Sequence, residues 1–175
     1  RGSLPHSLYV SAMATGSGIV WFQRTIDLKP KPRGCHYVTE EVIKGFPEIS
    51  QIKIGTLHLF MQHTSSSITL NESWDASVKD DVEMLLNRLV PEGLNYKHSC
   101  EGPDDMPAHG KHAILGGSNV TVPITDGRMN LGTWQGLWFI EHRNHACTSQ
   151  NQVRLFLILS CSSFARYFTS SRLSL

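Results

Sequence analysis

The sequence predicts a mainly β, α+β domain: an antiparallel sheet or sandwich with two or three flanking helices. Three observations carry this reading. Segments with strand character outnumber those with helical character. Most strands follow one another through short turns, as across Asn119–Arg143, rather than through crossover helices. The clearest helical period is confined to one stretch, Asp75–Val90.

Taken in order, residues 1–18 are rich in Ser and Gly and read as a flexible arm. Ile19–Leu28 is apolar and β-branched, with Trp21, Phe22 and Ile26, and reads as a strand ended by the prolines and glycine of Lys29–Gly34. Thr39 is placed as the cap of a short helix, with Glu40 and Glu41 in its first turn and Val42, Ile43 and Phe46 as its buried face. Gly45 and Pro47 stop it. Gln51–His63 is the longest strand candidate; Leu57, Leu59, Met61 and His63 share one face. After a Ser-rich turn, Ser67–Leu70 is extended again, and Asn71–Asp75 breaks it. In the following helix Val78, Val82, Leu85 and Leu89 form the apolar row, ended by Pro91 and Gly93.

Glu101–His112, EGPDDMPAHGKH, is the stretch densest in chemistry. Gly102-Pro103 makes a turn, Asp105 suits an N-cap, and Pro107 suits the first helical turn. His109 and His112, three apart, share one helix face. Gly116 and Gly117 suit the helix's C-terminal cap. Asn119–Ile124 is a strand, and Asp126-Gly127 a tight turn into Arg128–Leu131. Gly136–Arg143 and the apolar Val153–Ser160 are the last strands, and residues 161–175 are expected as a loose tail. The division is therefore an arm (1–18), one domain (19–160) and a tail (161–175).

Composition narrows the function. The 40% hydrophobic and 18% charged content is that of a globular chain, and the net charge of +1 gives no broad surface for nucleic acid. No apolar run reaches the ~20 residues of a membrane span. Four scattered cysteines without a CxxC pair point to free thiols in a reducing compartment, cytoplasmic or organellar. Arg1 rather than Met opens the sequence, which leaves a preceding targeting segment open.

Several side chains could carry chemistry, each with a plainer reading beside it. Thr64–Ser67 could bind phosphate or form a polar turn. Asn71 and Glu72 could belong to a site or cap a helix entry. Asp104 and Asp105 could work as acid and base or hold a metal, but neighbours in an extended loop point opposite ways, so only one is expected to face a site. Thr133, Trp134 and Gln135 lie between two glycines that permit close ligand approach, or form a packed hairpin turn. Glu141 and Arg143 share one strand face and His142 the other. Arg128 and Arg143 could clamp phosphate, or lie solvated on the surface. His63, His109 and His142, on separate elements, could converge on one divalent metal with an open position.

Four blocks together resemble a known family. HTSSSITLNE (His63–Glu72), EGPDDMPAH (Glu101–His109), GRMNLGTWQG (Gly127–Gly136) and EHR (Glu141–Arg143) resemble, in order and spacing, the YjbQ family, also called UPF0047, over Ile19–Leu159. The resemblance implies a β-sandwich-like fold, a homotrimer and a site where histidines and acids gather, in some members around a metal. It also implies activity as a secondary thiamine-phosphate synthase, joining a pyrimidine diphosphate to a thiazole phosphate with release of pyrophosphate. In that reading His63, His109 and His142 hold a divalent ion, Zn²⁺ or Mg²⁺. Asp105, Glu72 and Glu141 are the catalytic acids. Ser65, Asn71, Thr133, Gln135 and Arg143 hold the small phosphorylated substrate. The alternatives are a metal-dependent hydrolase of a small metabolite, or a non-catalytic trimer that binds metal or metabolite. The sequence departs from the family pattern at Asn144–Gln152, at 161–175, and at Gly110, where an apolar residue is usual and glycine costs ~1 kcal/mol against Ala.

Overall fold

A computed structural model describes residues 20–144 and 153–164. The expected arm (1–18), most of Asn144–Gln152, and residues 165–175 of the expected tail lie outside the described residues. The elements are β1 (Val20–Asp27), β2 (Gly34–Tyr37), α1 (Thr39–Gly45), a 3-10 turn (Pro47–Gln51), β3 (Ile52–Met61), β4 (Ser66–Glu72), α2 (Ser77–Leu89), α3 (Asp105–Leu115), β5 (Asn119–Thr125), β6 (Arg128–Met129), β7 (Gln135–Glu141) and β8 (Arg154–Phe164). They form two antiparallel sheets, ordered β1-β8-β3-β5-β6 and β2-β7-β4. The mainly β, α+β class is as the sequence predicts. No described helix is long and apolar enough to cross a membrane.

Period-two alternation builds the core between the sheets. Leu57, Leu59 and Met61 of β3, Leu155, Leu157 and Leu159 of β8, and Ile68, Leu137 and Phe139 from the smaller sheet meet in one buried cluster. On β7 the alternate residues Trp138 and Ile140 face the other way and meet Cys35 and Leu86 in a second cluster. β7 is thus buried on both faces, with the larger sheet on one side and α2 on the other.

The structure corrects several details. β2 has no counterpart in the sequence reading; its four residues are too few to show a period. Thr39 does not cap α1: its hydroxyl accepts the Leu137 N–H at 2.9 Å and ties the helix to β7. Ile43 is exposed, although Val42 and Phe46 are buried as expected. On α2 the row that packs inward is Val78, Val82 and Leu86, while Leu85 and Leu89 face solvent. Both rows satisfy helical spacing, and contact with Trp138 selects between them. β4 continues through Asn71 and Glu72, and β8 runs on to Phe164, paired with Ile52. Gly110 has a packing reason: a Cβ there would lie 2.8 Å from Val90 Cγ1.

Gly55 sits where the β3–β8 register shifts. A Cβ at this position would overlap the carbonyl oxygen of Ser160 and lie 2.8 Å from Ile52 Cγ2. Gly55→Ala is expected to destabilise the protein by about 1–3 kcal/mol, as overpacking does. Urea unfolding checks this; an unchanged midpoint would show that the two strands part without cost.

Candidate functional site

The end of β7 organises the site. Ser66 of β4 pairs with Glu141, so the β3–β4 connection carrying His63, Thr64 and Ser65 lies beside Glu141-His142-Arg143. The first two turns of α3, with Asp105 and His109, pack over the same end.

Arg143 joins these parts. Its Nε donates to Asp104 Oδ2 (3.1 Å), its Nη1 to Asp105 Oδ1, and its Nη2 to the Glu101 carbonyl (2.7 Å). Asp104 and Asp105 are both buried, at 4% and 1% exposure. Both face Arg143, contrary to the expectation that neighbouring carboxylates diverge. The reason is helical: the peptide turns at the start of α3 and brings them to one guanidinium. Neither carboxylate caps the helix; Asp104 holds the N-cap position without a side-chain cap bond. Burial alone would raise the Asp104 pKa, but the Asn144 N–H bond and the Arg143 charge outweigh it and hold the pKa below the usual carboxylate value.

The other oxygen of Asp105 meets two imidazoles. His98 Nε2 donates to Asp105 Oδ2 at 2.8 Å, and His109 Nε2 lies 3.5 Å from the same atom. His109 Nδ1 donates to the Thr64 carbonyl at 2.9 Å. A carbonyl only accepts, so in neutral His109 the proton is on Nδ1 and Nε2 presents a lone pair. One ligand atom each from His98, Asp105 and His109 lie within 4.8 Å of one another. Tetrahedral zinc with arms of about 2.0–2.1 Å sets its donors roughly 3.4 Å apart. His109 already stands at that separation from Asp105; His98, on an exposed loop, has room to withdraw to it.

Of the histidines expected as a trio, only His109 belongs to this group of donor atoms within 4.8 Å among the described residues. His63 Nδ1 accepts the Ser65 N–H at 3.0 Å, so its proton is on Nε2, which makes that nitrogen a donor. Burial, then the charges of His112, His109 and Arg143, lower its pKa. His142 is buried, with Nε2 2.8 Å from Ser67 Oγ and no partner for Nδ1 among the described residues. Burial pushes its pKa down to about 3. His112, expected on one face with His109, donates from Nδ1 to the Ser66 carbonyl at 2.6 Å. Ser65 Oγ lies 3.5 Å from His109 Nδ1, and Glu141 accepts the Arg143 N–H at 3.0 Å.

The remaining expected residues lie elsewhere. Glu72 pairs with Gln135 and Asn71 with Gly136, at the far end of the β4–β7 ladder. From Glu141 to Gln135 is six strand steps, or roughly 20 Å. Thr133 precedes that end. Gln135 Oε1 accepts the Gly132 N–H at 2.8 Å, a bond within its own turn. Four of the expected site residues are thus remote from the imidazoles, because adjacent motif blocks lie on antiparallel strands and finish at opposite ends.

Two residues of this region escaped the sequence reading. His98 sits seven residues before Asp105, and the Gly102-Pro103 turn between them was the available signal that the loop folds back. Lys111 is fully buried and donates to Asn87 Oδ1 at 2.5 Å; burial lowers its pKa. Its spacing from Pro107 and Ala108, both buried, marked its helix face.

A family model described as UPF0047 protein YjbQ-like matches residues 24–157. A UPF0047 protein YjbQ from Escherichia coli O157:H7 is 48% identical over 126 residues, 72% of this chain and 91% of the relative. A UPF0047 protein YugU from Bacillus subtilis is 29% identical over 67% of this chain and 87% of the relative. A solved structure from Clostridium acetobutylicum, described as an uncharacterized conserved protein of the yjbq/upf0047 family, has a TM-score of 0.60 at 28% identity, covering 77% of this chain and 96% of its own. A YbjQ-like protein of unknown function from Sulfolobus solfataricus P2 has a TM-score of 0.68 at 17% identity, over 82% of this chain and 99% of that one, and shows the shared fold.

Two outcomes are expected. Arg143→Ala removes the guanidinium from two buried carboxylates and should cost about 3–5 kcal/mol near neutral pH, read by urea unfolding. Because His142 is depressed from 6.5 to about 3, the unfolded chain takes up its proton first. Its contribution is complete above pH 6.5 and is lost as pH falls from there toward 3. Unfolding curves between pH 7 and pH 4 should show that loss, and His142→Gln should flatten it; an identical slope in the variant would refute the assignment.

Proposed function

The chain belongs to the YjbQ-like UPF0047 family, and from that membership we propose that it is a metal-assisted enzyme acting on a small phosphorylated metabolite. The observation that carries this reading is the convergence of His98, Asp105 and His109 on one point, with donor atoms within 4.8 Å. Two imidazoles and one carboxylate suit zinc or a similar divalent ion better than an all-oxygen magnesium site. Bound there, the ion would neutralise charge developing on phosphate oxygens.

The chain's own groups have distinct tasks. Arg143 holds the Asp105 carboxylate by Oδ1 and leaves Oδ2 for the ion. The Thr64 carbonyl fixes the His109 tautomer. His63, with its proton on Nε2, is the donor for a phosphate oxygen or a leaving group, and the Ser65 hydroxyl beside His109 adds a second. The reaction read for this centre is the thiamine-phosphate-synthase-like one: a pyrimidine diphosphate joined to a thiazole phosphate, releasing pyrophosphate.

One observation favours a second reading, a metal-dependent hydrolase. Arg143 is engaged by Asp104, Asp105 and the Glu101 carbonyl, and Asn71, Thr133 and Gln135 are about 20 Å off. The donors near the imidazoles then suit one phosphate better than a diphosphate and a second substrate. A homotrimer belongs to the same proposal: a neighbouring copy is one route by which the Glu72–Gln135 end would reach the imidazoles.

Elemental analysis of purified protein after zinc loading and dialysis is expected to give one ion per chain. His98→Ala and His109→Ala should each weaken retention at least ~10-fold, while His58→Ala, on the outer sheet face, should not. The loaded protein, offered the pyrimidine and thiazole phosphates, should form thiamine phosphate. Phosphate release from simple monoesters without that product would select the hydrolase. Neither product, with no retained ion, would end the proposal.

A further inference from the structure

Arg128, one of the two arginines singled out in the sequence, takes no part in the histidine-rich site. It is the first residue of β6, where it borders a cavity of about 510 Å³. The walls are apolar: Ile43 of α1, Phe46, Ile49 of the 3-10 turn, Met129 of β6 and Leu131 beyond it. The volume is that of a small-molecule site. The cavity shares no lining residue with the His98, Asp105 and His109 group.

The polar groups around it say what it would accept. Thr39 and Ser50 also line it, but Thr39 Oγ1 already accepts the Leu137 N–H and Ser50 donates to the Pro47 carbonyl. Glu48, on the adjoining turn, is held by Arg24 through two nitrogens at 2.6–3.0 Å, so it does not answer Arg128. Among the described residues the arginine ion pairs are those of Arg24, Arg33, Arg143 and Arg154. Arg128 is the one charged residue on the lining, and it is exposed.

We propose that this cavity binds a small apolar carboxylic acid, its acyl or aryl body against Ile43, Phe46 and Met129 and its carboxylate on Arg128. Apolar walls favour transfer of a hydrocarbon body from water. A guanidinium matches a carboxylate with two parallel hydrogen bonds. A sugar or nucleotide would lose its water contacts against these walls without replacement.

The test titrates decanoate and decan-1-ol into the full chain by calorimetry, below the micelle concentration. Decanoate should bind saturably, one per chain, and the alcohol about fivefold more weakly. Arg128→Gln should weaken decanoate by a similar factor and leave the alcohol unchanged. Ile43→Glu, a change at an exposed position, should abolish both, with zinc retention unaltered in either variant. Absence of saturable decanoate binding would overturn the proposal, as would equal binding by Arg128→Gln or binding that survives in Ile43→Glu. So would a multimeric mass by light scattering that Ile43→Glu reduces to one chain while decanoate fails to bind, since the cavity would then be covered by a second copy.

Discussion

One guanidinium ties the start of α3 to the end of β7. Asp104 and Asp105 are adjacent, ionisable and almost wholly buried, an arrangement that would drive the start of α3 apart if nothing balanced it. Arg143 balances it from the end of β7, taking one oxygen of each carboxylate and the Glu101 carbonyl besides. The pairing fixes α3 against the smaller sheet and rotates Asp105 so that its second oxygen meets His98 and His109. Buried ion pairs of this kind add little net stability over well-packed apolar residues; what they contribute here is position.

That position is rigid because β7 is. The strand is covered on one face by the core it shares with β3 and β8, and on the other by α2 through Trp138 and Ile140. A strand buried on both faces has little freedom to shift, so Arg143 is presented from a fixed base. His142, one residue earlier, is enclosed by the same packing. Its ring is held neutral against Ser67, which makes it part of the scaffold and not of the imidazole group open to solvent. The imidazoles divide by their protons as well as by their places. His109 offers a lone pair because a carbonyl takes its Nδ1 proton, whereas His63 offers a proton because a backbone N–H occupies its Nδ1.

The candidate site was legible in part. Asp105 and His109 stood out because a Gly-Pro turn, paired acids and spaced histidines fall in one short block. Ser65 and Arg143 lie at the same end of the molecule. Arg143 stands there as the clamp on the two carboxylates. Asn71 and Glu72 share a motif block with Ser65, as Thr133 and Gln135 share one with each other, and a motif reads as a unit along the chain. In space, however, an extended motif spans some 20 Å from end to end. His98 is not legible in the sequence, because a lone loop histidine has no period to mark it.

The sequence by itself determined the family, the antiparallel β-rich class and the faces of the long strands. The family is legible in the four motif blocks, whereas the class and the strand faces follow from period-two alternation and short turns, which act between near neighbours and need no knowledge of the rest. Tertiary structure decided which of two helical rows on α2 is buried, that Thr39 bonds β7 rather than capping its own helix, and which imidazoles share a point with Asp105. The first two depend on partners dozens of residues away, and the third on Arg143, far along the chain from Asp105, which holds that carboxylate towards His98 and His109. Hydrogen-bond direction and burial are properties of the pair brought together, and neither residue carries them alone.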